Sequence, residues 1–187
     1  MSGRRALFLD KDGVINVDHG YVCTPERTDF IDGIFDLCRT ATRRGFLNVV
    51  VTNQAGIGRG YYTEQQFLAY MDWVRGEFRK RGAQIDAVYY CPHHPEHGLG
   101  EYLRDCGCRK PKSGMLLAAQ RDLDLDLAGS LLLGDSESDA MAATSAGVAR
   151  VFILGTGRLL RDAVQPSTVS RMCIVENVAA VERLLAS

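Results

Sequence analysis

A short apolar run near the start of the chain ends in two carboxylates. Residues 6–9 are apolar, as is typical of a buried strand, and Asp10, Asp12 and Gly13 follow directly. Ligands bind beyond the carboxyl ends of the strands in open α/β sheets, so Asp10 and Asp12 are candidates for a functional site. Asp and Gly are also common in turns, and this stretch alone is equally consistent with a polar turn.

Further apolar runs alternate with helical patterns along the rest of the chain. Predicted strands cover residues 47–51, 87–90, 130–133, 150–154 and 172–175. Predicted helices cover residues 33–44, 63–81, 113–123 and 178–185, and an alanine-rich helix ends at Gly147. This alternation predicts a Rossmann-like, doubly wound α/β fold with a mainly parallel sheet. Because 187 residues suit one sizeable core, we expect a single domain over residues 1–187.

Charge and composition argue against several classes of protein. The formal net charge is -1, unlike the basic surface of a nucleic-acid-binding protein. No apolar run approaches the roughly 20 residues that cross a bilayer, and the N-terminus does not resemble a signal peptide. We therefore expect a cytoplasmic monomer that binds neither nucleic acid nor membrane. In a reducing compartment the six cysteines favour metal binding or burial over disulfides.

Polar residues at three predicted strand ends should meet at one edge of the sheet. Converging carboxylates repel one another and need a counter-ion, and an all-oxygen site suits Mg²⁺. With the basic pair at residues 109–110, these groups could hold a phosphate. The strand-end residues are Asp10, Asp12, Thr52, Asn53, Asp135 and Asp139.

Each of these groups can be given a chemical role. Asp10 would attack phosphorus to form an aspartyl-phosphate, and Asp12 would protonate the leaving oxygen and later deprotonate water. Thr52 and Lys110 would bind phosphoryl oxygens, while Asp135 and Mg²⁺ would neutralise developing charge. Singly, each has an ordinary alternative, with Thr52 as a strand-end hydroxyl, Lys110 as a solvated surface cation and Asp135 as a helix cap.

The loop from residue 91 to residue 108 is rich in cysteine and histidine. A long loop without secondary structure needs a reason, although chance cysteines are the alternative. Three thiols and one imidazole suit tetrahedral Zn²⁺, and four protein ligands would make that zinc structural. The cysteines at residues 23, 38 and 173 have no partner at metal-binding spacing. The predicted ligands are Cys91, His93, Cys106 and Cys108, with His94 and His97 as substitutes for His93.

Four motifs resemble the signature of the haloacid dehalogenase (HAD) superfamily of phosphohydrolases. Segments at residues 16–22, 51–60, 89–95 and 106–111 are also similar to the D-glycero-D-manno-heptose 1,7-bisphosphate 7-phosphatase family, whose near relatives are the histidinol-phosphate phosphatases. The resemblance extends to about residue 157 and implies a minimal cap, catalytic Mg²⁺ and structural Zn²⁺. The four motifs are Asp10-x-Asp12-Gly13, Thr52-Asn53, Lys110 and Gly134-Asp135-x-x-x-Asp139.

The resemblance also implies particular site residues. Mg²⁺ would lie among Asp10, Asp12 and Asp135, with Asp12 contributing its main-chain carbonyl. Arg59 and Arg109 could add cations for a second phosphate, and the planar guanidinium of Arg109 suits two oxygen atoms. The implied substrate surface comprises Asp18, His19, Gly20, Tyr21, Asn53, Gln54, Ala55 and Arg109.

Two positions depart from the family pattern. Lys11 stands where the family often has arginine, and we expect it to be a tolerated surface position. Ser136 stands where a lysine or arginine is common, which removes a cation beside Asp135. The second change bears on the choice of sugar or anomer. For residues 158–187 the sequence suggests no function.

These features predict a Mg²⁺-dependent phosphomonoesterase. The resemblance implies removal of the C7 phosphate of D-glycero-D-manno-heptose 1,7-bisphosphate, in the synthesis of nucleotide-activated heptose for surface polysaccharide. Histidinol phosphate is the alternative substrate. A phospho-acceptor module is a different class, but Asp12 supplies the second acid that turnover requires. The near-neutral charge argues against a zinc-ribbon protein that binds nucleic acid.

Overall fold

A six-stranded parallel sheet forms the centre of the protein, in a computed structural model that describes residues 3–155 and 172–186. The strand order is β3-β2-β1-β4-β5-β6, and all five pairings are parallel. The predicted Rossmann-like α/β class is therefore confirmed. The strands are β1 (Arg5–Leu9), β2 (Phe46–Asn53), β3 (Ala87–Cys91), β4 (Leu131–Gly134), β5 (Arg150–Leu154) and β6 (Met172–Val175).

Six α-helices accompany the strands in the described residues. Helix α3 begins where the sequence predicts, because the Thr63 hydroxyl oxygen accepts a hydrogen bond from the Gln66 main-chain N–H and the Gln66 side-chain oxygen accepts one from the Thr63 N–H. A single-turn helix, α2, was not predicted, since its glycine-rich sequence favours a loop. The helices are α1 (Ile34–Arg43), α2 (Ala55–Gly58), α3 (Glu64–Lys80), α4 (Gly114–Leu123), α5 (Glu137–Ala146) and α6 (Val178–Ala186).

The residues of β1 alternate between two hydrophobic cores. Leu7 and Leu9 pack in the core that includes buried residues of α1, α3 and α6, whereas Ala6 and Phe8 pack in the core that includes those of α4 and α5. Because β1 is covered on both faces, its residues 6–9 are all apolar and buried. No helix in the described residues has the length and apolar character needed to cross a bilayer.

Strand register brings three chain segments to one edge of the sheet. Leu9 of β1 lies beside Val50 of β2 and Leu133 of β4. The Asp10 N–H donates to the Leu133 carbonyl at 3.0 Å, so β1 stays paired up to its first acid. The residues that follow β1, β2 and β4 therefore emerge side by side at the carboxyl edge.

Candidate active site

Lys110 is buried between two carboxylates. Its Nζ lies 2.8 Å from Asp10 Oδ1 and 2.5 Å from Asp139 Oδ1, and it donates to the Val51 carbonyl at 2.9 Å. Burial alone would lower the pKa of Lys110, but the charges of Asp10 and Asp139 outweigh burial and raise it. The alternative of a solvated surface lysine is thus wrong, and Lys110 is a fixed cation beside Asp10.

Three carboxylates converge around this lysine. Oxygen atoms of Asp10, Asp135 and Asp139 all lie within 4.8 Å of one another. Burial raises the pKa of Asp10 to about 7, with contributions from the charges of Asp139 and Asp135, although Lys110 opposes the increase. Desolvation and the charge of Asp139 raise the pKa of Asp135 to about 6. Such mutually repelling oxygens form a site that a divalent cation would stabilise.

Asp139 is the most deeply buried of the three carboxylates. Its side chain is fully buried, it pairs with Lys110, and its Oδ2 accepts a hydrogen bond from Ser136 Oγ at 2.6 Å. Ser136 caps the N-terminus of α5, so the alternative in which Asp135 is the cap is wrong. Asp10 and Asp135 are left as the side chains that fit Mg²⁺. The sequence placed Asp139 among the converging acids without giving it a role.

Gly13 leaves room for Asp135. The backbone of Gly13 has φ +87°, and a Cβ atom there would lie only 1.9 Å from Asp135 Oδ2. Any other residue at position 13 would displace this carboxylate or strain the backbone. Gly13 is therefore needed at this position so that the Asp135 carboxylate can occupy its place beside the backbone.

Asp12 is held by three neighbouring side chains. Its Oδ1 lies 2.5 Å from Lys11 Nζ and accepts a bond of 3.0 Å from Asn16 Nδ2, while Oδ2 accepts one of 3.2 Å from Gln54 Nε2. Lys11 was expected at the surface, but its side chain is fully buried. That expectation was wrong because lysine is usually solvated, and only the folded structure reveals the oxygen atoms that replace water here.

Two amides after β2 support other site residues. Gln54 Nε2 donates to Thr52 Oγ1 at 2.8 Å, and Gln54 Oε1 accepts from the Tyr62 hydroxyl at 2.6 Å. Asn53 Oδ1 accepts from the Lys110 N–H at 3.0 Å, and Asn53 Nδ2 donates to the Lys110 carbonyl at 3.1 Å. Both were predicted as substrate-binding residues, and both also hold other residues of the same site in place.

A cleft of about 480 Å³ opens above these groups. It does not include three of the predicted residues. His19 instead contacts Asp29, Arg59 lies over the ring of Tyr21, and Arg109 donates to the His93 carbonyl. Tyr62 and Ser138 also line the cleft and were not predicted, because Tyr62 lies outside the motifs and Ser138 is at an unspecified position of the motif Gly134-Asp135-x-x-x-Asp139. The lining residues are Asp10, Asp12, Asp18, Gly20, Tyr21, Thr52, Asn53, Gln54, Ala55, Tyr62, Lys110, Asp135, Ser136 and Ser138.

A second cluster lies beside the cleft and consists of Cys91, His93, Cys106 and Cys108. The sulfur of Cys108 is 3.2 Å from those of Cys91 and Cys106, and 3.4 Å from His93 Nδ1. Four ligand atoms this close can contact one ion, and three thiols with one imidazole are a donor set of structural zinc sites. The substitute ligands His94 and His97 are not part of this cluster.

The cysteine cluster is joined directly to the carboxyl edge of the sheet. Cys91 is the last residue of β3, and its carbonyl accepts a hydrogen bond of 2.8 Å from the Gln54 N–H. Cys108 lies two residues before Lys110, whose main chain is held by Asn53. The cluster therefore holds the segment 108–110 at one end, and Asn53 holds it at the other.

Comparison with known proteins places the fold and the site in one superfamily. Residues 107–181 match the HAD-hydrolase-like family model. A solved structure described as D,D-heptose 1,7-bisphosphate phosphatase from B. bronchiseptica, complexed with magnesium and phosphate, superimposes with a TM-score of 0.81. Its sequence identity is 34%, and the alignment covers 97% of each chain. The protein is a member of the HAD superfamily of hydrolases.

Two curated relatives define the family more narrowly. D-glycero-alpha-D-manno-heptose-1,7-bisphosphate 7-phosphatase from Burkholderia mallei is 54% identical over 89% of this chain and 88% of its own. D-glycero-beta-D-manno-heptose-1,7-bisphosphate 7-phosphatase from Vibrio cholerae is 48% identical over 84% of each chain. The chain belongs to the D-glycero-D-manno-heptose 1,7-bisphosphate 7-phosphatase family.

Proposed function

We propose that this protein hydrolyses the C7 phosphate ester of D-glycero-D-manno-heptose 1,7-bisphosphate. The observation that supports this most strongly is the pairing of Asp10 with Lys110 at the floor of a cleft whose wall carries Asp12. A nucleophilic carboxylate, a cation for the phosphoryl group and a second acid are what phosphomonoester hydrolysis by an aspartyl-phosphate requires. The choice of substrate rests on family membership and on the named activity of the relatives.

In the first step, a carboxylate oxygen of Asp10 attacks phosphorus and the bond from phosphorus to the C7 oxygen breaks. Asp10 Oδ1 already accepts hydrogen bonds from the Lys11 N–H and from Lys110, which leaves Oδ2 as the attacking oxygen. The carboxyl group of Asp12 gives its proton to the leaving oxygen, so the sugar departs as an alcohol. Thr52 and Lys110 bind the phosphoryl oxygens during transfer.

In the second step, water attacks the phosphorus of the aspartyl-phosphate. The Asp12 carboxylate takes the proton from this water, the acyl phosphate bond breaks, and Asp10 and inorganic phosphate are regenerated. Asp12 thus ends the cycle protonated and ready for the next substrate. Asp10, the Asp12 carbonyl and Asp135 would hold Mg²⁺, which would neutralise charge on the phosphoryl group when bound.

The cysteine cluster is proposed to be a structural zinc site. Its four protein ligands leave no open coordination position, so its effect on catalysis is exerted through the loop that carries Arg109 and Lys110. With minimal cap structure, this loop and residues 18–21 form the surface for the rest of the sugar. Arg59 and Arg109 are proposed to meet the second phosphate by turning toward the cleft. Reduced thiols at the cluster are consistent with a cytoplasmic enzyme.

Turnover assays with purified protein and Mg²⁺ test this function. The substrates are the α and β anomers of the heptose 1,7-bisphosphate and histidinol phosphate, with released phosphate as the readout. We expect kcat/KM for at least one heptose anomer to exceed that for histidinol phosphate by about 10²-fold or more, because the cationic ester lacks a second phosphate for Arg59 and Arg109. Preference for histidinol phosphate would contradict the proposed substrate.

Magnesium affinity should depend on pH in this protein. Mg²⁺ binds the ionised carboxylates, whereas the pKa of Asp10 is raised to about 7 and that of Asp135 to about 6. Below pH 7 the metal must displace one proton, and below pH 6 a second. We expect the Kd for Mg²⁺ to rise about tenfold per pH unit between pH 7 and pH 6, and more steeply below pH 6.

Isothermal titration calorimetry between pH 8 and pH 5.5 measures this dependence. Bound zinc is quantified at each pH, so that loss of the cysteine cluster is distinguished from protonation of the carboxylates. A Kd that stays constant from pH 8 to pH 6 would contradict the assignment of Asp10 and Asp135 as the magnesium ligands.

A further inference from the structure

The buried side chain of Lys11 has contacts that the reaction described above does not explain. Its Nζ lies 2.5 Å from Asp12 Oδ1, 3.0 Å from the Val22 carbonyl and 3.3 Å from Asn16 Oδ1. The ring of Tyr70 is 5.2 Å away, measured to its centroid. All three ammonium protons can therefore point to oxygen atoms, as a buried lysine requires.

The two carboxylate oxygens of Asp12 differ in how firmly they are held. Oδ1 is held by Lys11 and by Asn16 Nδ2, and the Asn16 amide is itself fixed by a bond of 2.9 Å to the Val17 carbonyl. Oδ2 accepts one longer bond, 3.2 Å, from Gln54, which lines the cleft. The Asp12 side chain is 21% exposed. Oδ2 is consequently the oxygen that remains available to a substrate.

Lys11 also contacts the other acid. Its main-chain N–H donates to Asp10 Oδ1 at 2.7 Å, while its side chain holds Asp12 Oδ1. One residue therefore sets the orientation of the nucleophile through its backbone and that of the second acid through its side chain. A hydrogen bond from an ammonium group is roughly twice as strong as one from a neutral amide, so Lys11 restrains Asp12 more firmly than Asn16 does.

We propose that Lys11 is a positioning residue that holds Asp12 with Oδ2 toward the leaving group. This proposal rests on the function proposed above. The proton on Oδ2 passes to the ester oxygen as the bond from phosphorus to that oxygen breaks, and Oδ2 takes a proton back from the attacking water. Without Lys11, the Asp12 side chain can rotate and its proton is presented to the leaving oxygen for a smaller fraction of the time.

Leaving-group dependence provides the test. An alkyl phosphate such as the heptose bisphosphate needs a proton on its leaving oxygen, whereas p-nitrophenyl phosphate releases a stable phenolate without one. The ratio kcat/KM reports the steps up to cleavage of the ester bond in both cases. For Lys11→Met we expect kcat/KM to fall about 10²-fold with the alkyl phosphate, against only a few fold with the aryl phosphate.

Two further variants separate positioning from general damage. Lys11→Arg keeps a cationic donor, and we expect it to restore kcat/KM for the alkyl phosphate to within about fivefold of wild type. Lys80→Met removes a charge from a surface ion pair with Glu77 and should leave kcat/KM for both substrates unchanged. If Lys11→Met does not fold, as judged by thermal unfolding, Lys11→Gln takes its place with the same expected selectivity.

Equal losses with the two substrates, or no loss, would overturn the proposal. A Lys11→Arg variant as impaired with the alkyl phosphate as Lys11→Met would also overturn it, because the cationic donor would then not be what holds Asp12. Failure of the proposed function has a different signature, since wild type would then not cleave the heptose bisphosphate. In that event any alkyl phosphate that wild type does cleave serves in the same comparison.

Discussion

Replacement of Asp10 by asparagine is expected to abolish phosphatase activity and leave the protein folded. The amide has nearly the same shape and can still accept hydrogen bonds from Lys110 and the Lys11 N–H, but it cannot attack phosphorus. Loss of a covalent nucleophile should lower kcat by at least about 10³-fold. Because burial and neighbouring carboxylates raise the pKa of Asp10, a neutral side chain is compatible with this position.

Steady-state turnover and thermal unfolding of Asp10→Asn measure the two expectations separately. Asp72→Asn is the matched control, since Asp72 is an exposed residue of α3 outside the cleft, and it should retain full activity. Turnover of Asp10→Asn within tenfold of wild type, in protein free of deamidated product, would show that another group attacks the phosphorus.

Loss of one cysteine from the cluster should have the second large effect. In Cys106→Ser, we expect the protein to lose its bound zinc and kcat/KM to fall by more than about tenfold, since even residues outside the ligand shell of a metal are typically worth 10- to 100-fold. Zinc binding energy contributes to the folding of the segment that carries the ligands. Its loss would release the segment from Cys106 to Lys110 and with it the cation beside Asp10.

Zinc content by elemental analysis and kcat/KM on the same sample test this expectation. Cys173→Ser is the control, because Cys173 is an exposed residue of β6 outside the cluster, and it should keep both zinc and activity. A Cys106→Ser protein that has no zinc but normal turnover would refute the dependence of catalysis on the cluster.

The fold could be predicted from local patterns because each pattern has a local cause. Continuously apolar strands such as β1 are buried on both faces, and Thr63 with Gln66 forms the capping box that begins α3. The bounds of β5 and β6 agree with the prediction, while β2 is longer at both ends. Residues 155–170 have a loop-like sequence and, after residue 155, lie outside the described residues.

The sequence predicted which residues meet at the candidate site, but it did not predict the directions and contacts of their side chains. Parallel strands bring Asp10, Thr52 and Asp135 to one edge, and this follows from topology alone. The direction of each side chain depends on contacts distant in sequence, such as that of Asn53 with Lys110. The burial of Lys11 was missed for the same reason, because its oxygen partners include the Val22 carbonyl, eleven residues away.

The cysteine cluster and the two bonds between Asn53 and the main chain of Lys110 divide residues 91–110 into parts that should differ in their tolerance of mutation. Between Cys108 and Lys110 the chain is held at both ends, so a change in length there would shift Lys110 relative to Asp10. Residues 94–105 lie between cluster ligands and have exposed side chains such as Leu99 and Leu103. Substitutions at residues 94–105 should therefore leave the distance from Lys110 to Asp10 unchanged, whereas an insertion between Cys108 and Lys110 should alter it.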